Sequence, residues 1–77
     1  MITIFQNGER IGQSKNLRGV NDRCRKLPGA SATVLPDSDW GYVRVEVNWP
    51  DGAFASIRFA SRLLAEKYAS TTRFQGA

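Results

Sequence analysis

Between Tyr42 and Phe59 the chain alternates apolar and polar residues on both sides of Pro50-Asp51-Gly52, and no other stretch constrains the fold as much. Val43, Val45, Val47 and Trp49 alternate with Tyr42, Arg44, Glu46 and Asn48, the period-two pattern of a strand buried on one face. Pro presets the first position of a type I turn, and Gly takes the left-handed position of the bulge that follows, so a three-residue hairpin loop is expected. Under that loop Trp49 faces Ala53, Val47 faces Ala55, Val45 faces Ile57 and Val43 faces Phe59, all on one side. A two-residue loop would set apolar residues opposite polar ones, so parity selects the longer loop and predicts strands over 42–49 and 53–59.

A second hairpin is expected at the start, strands 2–6 and 9–13, because Asn7-Gly8 tolerates the positive φ of a type I′ turn. Its two-residue loop sets Gln6 against Glu9, Phe5 against Arg10 and Ile4 against Ile11, which places Ile2, Ile4 and Ile11 on one side and Thr3, Phe5 and Arg10 on the other. Ser14 reads as the N-cap of a helix over 15–27. Leu17, Val20, Cys24 and Leu27 form its inner stripe, Lys15, Arg18, Asp22, Arg25 and Lys26 its outer face, and Pro28-Gly29 its stop. Gly19 inside it costs about 1 kcal/mol relative to Ala. Ala32–Leu35 reads as a short strand, and Pro36-Asp37-Ser38-Asp39 as the turn after it. Ser61 caps a last helix over 62–71, with Leu64, Ala65, Tyr68 and Ala69 inward and Arg62, Glu66, Lys67 and Arg73 toward water. The tail Gln75-Gly76-Ala77 is expected to fray. The result is one domain over residues 1–77 in the order ββαβββα. It is an α+β fold with a mainly antiparallel sheet and two helices on one face.

Length bounds the chain to one small core. Its net charge is +4, and eight of the eleven cations are Arg, whose planar fork suits phosphate or carboxylate. Such a balance tilts toward an acidic partner. There is no His, which removes the commonest general base and metal ligand. Cys24, the single cysteine, falls on the apolar stripe of the first helix and reads as a buried thiol. Asp37 and Asp39 lack the glycine and distal Glu of a calcium loop. Glu9, Glu46 and Glu66 lie on different elements, and no glycine-rich phosphate loop is present. Neither enzyme chemistry nor a cofactor nor a metal is expected. No leader or membrane-spanning run is read, and a reducing cytoplasm is the expected location.

The candidate site is the polar face of the sheet. The parity that buries Val45 and Ile57 puts Arg44 across from Arg58, a like-charge pair that destabilises a hairpin. Glu46 faces Ser56 and Asn48 faces Phe54 on that side. Tyr42, Phe5 and Arg10 extend it if both hairpins share one sheet. Arg18 and Arg25 on the first helix form a second, weaker candidate. Arginines interleaved with aromatics suit nucleic acid, through phosphate contacts and base stacking, and equally suit an acidic protein groove.

From Ser14 to Thr71 the order αβββα resembles that of double-stranded-RNA-binding domains, with Ser61-Arg62-Leu63-Leu64 standing where that family has a phosphate-gripping lysine-rich helix start. The stretch Gly41-Tyr42-Val43-Arg44-Val45, through Asp51-Gly52 to Phe59 and Ala65-Glu66, is similar to the sheet-reading amino-terminal modules of phage integrases. No diagnostic motif accompanies either resemblance, and membership of neither family is inferred from them. Two functions follow as expectations. One is a small inhibitor or adaptor of the phage or plasmid kind, docking on a host nucleic-acid-handling complex such as a CRISPR effector. The other is a basic module that binds nucleic acid directly. Seven acids stand against the eleven cations, which tips the balance to the protein partner. A homodimer through an edge strand, covering Phe54 and Tyr42, is a further expectation.

Overall fold

The computed structural model describes residues 2–39 and 41–74, with backbone alone at 37–39. Its elements are β1 (Ile2–Gln6), β2 (Glu9–Ser14), α1 (Leu17–Lys26), β3 (Ser31–Asp39), β4 (Tyr42–Asn48), β5 (Ala53–Phe59) and α2 (Arg62–Ala69). The expected ββαβββα order is present. The strands form one antiparallel sheet in the order β2-β1-β5-β4-β3, so β1 joins the two hairpins.

The central hairpin has the expected register, from Val43 opposite Phe59 to Asn48 opposite Phe54. Its loop closes with Trp49 N donating to Ala53 O at 2.9 Å and Gly52 N to Trp49 O at 3.1 Å, with Gly52 at φ 89°. One sheet face carries the core. Val45, Val47, Trp49, Ala53, Ala55 and Ile57 are buried there against Val20 and Cys24 of α1 and Ala65, Tyr68 and Ala69 of α2. Small residues at Ala53, Ala55, Ala65 and Ala69 leave room for both helices to approach the sheet.

Several expectations are corrected. Ile4 pairs with Gly12 rather than Ile11, because β2 bulges between the partners of Ile4 and Phe5. The extra residue reverses the faces of β2 from that point, so Ile11 is 45% exposed and Ser14 turns toward α1. Helix α1 therefore starts later than expected. Asn16 is its N-cap, its side chain accepting from Arg18 N at 3.0 Å, while Ser14 Oγ accepts from Asn16 N and Gly19 N. Leu27 caps the other end with its side chain exposed. Residues 36–39 are not a turn, because β3 bulges past Val34 and resumes pairing at Ser38 and Asp39.

Helix α2 ends at Ala69, with Ser61 Oγ accepting from Leu64 N as its cap. Leu64 points outward rather than inward. Phe74 takes a core place instead, in a T-shaped contact with Tyr68 at 5.2 Å, and Arg73 lies over the Tyr68 ring at 5.4 Å rather than facing water. Tyr68 donates its hydroxyl proton to Asn21 Oδ1 at 2.7 Å, and burial pushes its pKa to about 12. The expectations for Gln75-Gly76-Ala77 and for the Asp37 and Asp39 side chains lie outside the described residues.

Candidate functional site

With both helices on one face, the other face of the sheet is uncovered among the described residues. Three rows of side chains cross it. Arg44 stands opposite Arg58, as parity requires. The next row runs Thr33, Glu46, Ser56, and the third runs Ser31, Asn48, Phe54, Phe5, Arg10 across all five strands. Phe5 and Phe54 stack with ring centroids 5.5 Å apart and planes at 24°. This contact needs β1 beside β5, so the condition that both hairpins share one sheet is met. Phe54 is half-buried, with Phe5 of β1 against it.

Glu46 sits between the arginine row and the aromatic row. Its Oε1 accepts from Asn48 Nδ2 at 3.2 Å. Arg44 is half-buried, and its Nε–H is shielded from solvent without an acceptor among the described residues. Tyr42 lies two residues from Arg44, opposite Asp39, and is 45% exposed. The structure thus assembles Arg44, Arg58, Tyr42, Phe54, Phe5 and Arg10 on one face.

Arg18 and Arg25 are not part of this assembly. They line a separate groove with Asn21, Asp22, Thr72 and Arg73, where Arg25 is ion-paired to Asp22. Arg23 is committed to structure. Its guanidinium lies 4.8 Å from the Trp49 ring centre and donates to Asp51 Oδ2 at 3.1 Å. The Ala53 N–H and then Arg23 hold the Asp51 carboxyl below its ordinary pKa.

Sequence reasoning missed Thr3 and Ser56 as site residues. They flank a cleft where β1 and β5 diverge, and this cleft also reaches Arg44, Arg58 and Phe5. The alternation of β1 already placed Thr3 beside Phe5, but nothing local says which strand β1 will join.

Cys24 is buried, and its thiol pKa is raised by that burial against the opposing pull of the neighbouring Trp49, Arg73 and Arg23 side chains. The thiolate is the reactive form, so this environment suits a core residue. Among the described residues no group of three or more His, Cys, Asp or Glu could hold a metal ion, and no helix is long and apolar enough to cross a membrane. Dimerisation by strand pairing at a sheet edge would not cover Phe54, because the edges are β2 and β3 and Phe54 lies on the central strand. No protein-family model matches the chain, and neither does any curated protein or any solved structure.

Proposed function

We propose that the chain is a non-catalytic binding protein that docks its uncovered sheet face on an acidic surface of a nucleic-acid-handling protein complex, acting as an inhibitor or adaptor. The observation that carries this reading is the pairing of Arg44 with Arg58 beside the Phe5–Phe54 stack on a face that no helix covers. Facing arginines weaken a hairpin in isolation, and half-buried aromatic rings on this face add nothing to a core on the opposite side. Both features gain from a partner that supplies negative charge and covers the rings.

Glu46 favours a protein over a polyphosphate. It places a carboxylate at the middle of the face, held by Asn48, where a phosphate backbone crossing from the arginines to the aromatics would meet it. A protein surface can offer donors at that point and acids on either side. Direct binding of single-stranded nucleic acid is the second reading, supported by the stacked rings beside guanidinium groups.

Affinity capture from cells that carry the protein, with and without nuclease, separates the two. A defined protein complex that survives nuclease and is lost with Arg44→Ala/Arg58→Ala, while the variant keeps its thermal transition, is the expected result. Recovery of nucleic acid alone, released by nuclease and by added salt, would establish the second reading. Recovery of neither overturns both.

A further inference from the structure

Strands β1 and β5 run side by side only from Ile4 to Gln6 and from Ala53 to Ala55. Past that ladder they part, and the space between them opens into a cleft of about 730 Å³. Arg44, Arg58, Thr3 and Ser56 line it as one polar wall by strand alternation. The other is apolar, made of Ile2, Leu17, Ile57 and Phe59. No carboxylate lines the cleft among the described residues. The division follows from strand alternation, since Ser56 and Arg58 point to the uncovered face and Ile57 and Phe59 to the core.

Arg44 holds a donor that the fold does not use. Its Nε–H is out of water and has no acceptor among the described residues, a cost in stability that an acceptor reaching it through a shift of the Arg44 side chain would cancel. Nε–H and Nη–H of a guanidinium form a planar fork matched to the two oxygens of a carboxylate. A phosphate group would also accept from that fork. It would bring a strongly hydrated charge to the apolar wall, where it gains nothing. A carboxylate next to an apolar side chain uses both walls.

We propose that this cleft anchors the partner protein through one Asp or Glu side chain flanked by an apolar residue, the carboxylate on Arg44 and the apolar neighbour against Leu17 and Phe59. The proposal rests on the docking reading above and names the group on the partner that the face recognises. It makes the cleft the specific point of contact, with the Phe5–Phe54 stack as the adjoining apolar patch.

The test is a titration followed by backbone and arginine side-chain NMR signals, with acetyl-Leu-Glu-Leu-amide as the probe. Acetyl-Leu-Gln-Leu-amide, inorganic phosphate and a short thymidine oligonucleotide serve as comparisons. The Glu peptide should shift the signals of Thr3, Ser56 and the Arg44 Nε–H, and bind at least ten times more tightly than the Gln peptide. Arg44→Gln should abolish the response. So should Ser56→Trp, which fills the cleft and keeps the arginine, and the amide spectrum of each variant shows whether it is folded. Equal binding of Glu and Gln peptides, a response to phosphate or oligonucleotide as strong as to the Glu peptide, or no response at millimolar peptide overturns the proposal. Capture with Ser56→Trp separates the two levels. If that folded variant retains the protein complex, the cleft inference fails and docking stands; if the wild type captures no complex, the docking reading fails while the peptide titration still decides the cleft.

Discussion

At the scale of single residues, Gly19 has a steric reason that its helix position alone does not reveal. A Cβ built there would lie 2.3 Å from Ser14 Oγ and 2.6 Å from Ser14 Cβ, so the start of α1 and the end of β2 pack too closely for any side chain. Helix propensity predicts that Gly19→Ala stabilises by about 1 kcal/mol. Overpacking costs roughly 1–3 kcal/mol and opposes it. Gly19→Ala should therefore lower stability in urea unfolding, and a rise in the midpoint would show that Ser14 moves aside freely. The arginine pair was legible at this scale, since Arg44 and Arg58 follow from the loop length and strand parity alone. The shielded Arg44 Nε was not, because it depends on what surrounds the strand. Leu64 lies outside the core, and Phe74, beyond the helix, packs on Tyr68 instead, which no periodicity announces.

At the scale of elements, α1 is tied to the β4–β5 loop through one side chain. Asp51 accepts from Arg23 on the helix and from Ala53 N in its own turn, while its backbone carbonyl accepts from Gln6 of β1. Three elements meet at that residue. Because its folded pKa is lowered, its contribution is complete above the ordinary carboxylate range and is lost as pH falls through the folded value. Asp51→Asn should lower Tm at neutral pH and flatten the acid limb of the stability profile. An unchanged acid limb would assign that limb to other carboxylates. The loop itself was fully readable from Pro50-Asp51-Gly52, whereas the bulges in β2 and β3 were not. Ile11 looks like a core residue by alternation, but it is the inserted position of the bulge, and past it Ser14 meets α1. Pro36 reads as a turn breaker, yet an edge strand with a bulge accommodates it.

At the scale of the whole molecule, the sheet order is the part least visible in the sequence. Each hairpin is local and announced by its turn, but the join of β1 to β5 pairs residues far apart in the chain, Phe5 with Phe54. Local pattern carries no signal for such a pairing, and loop closure must precede any contact that rewards it. The β4–β5 hairpin, closed by three residues, should form early and β1 should dock late. In chevron analysis Val45→Ala should mainly slow folding, and Ile4→Val, expected to cost about 0.5–1.5 kcal/mol, should mainly speed unfolding. The opposite partition would mean that β1 takes part in the nucleus. During synthesis this order has a physical outcome. Phe5, Arg10 and Thr3 leave the ribosome long before Phe54, Ser56 and Arg58, so the composite surface comes into being in a single late step. Until β5 has emerged only one part of this face exists, and the face is complete only when the sheet closes.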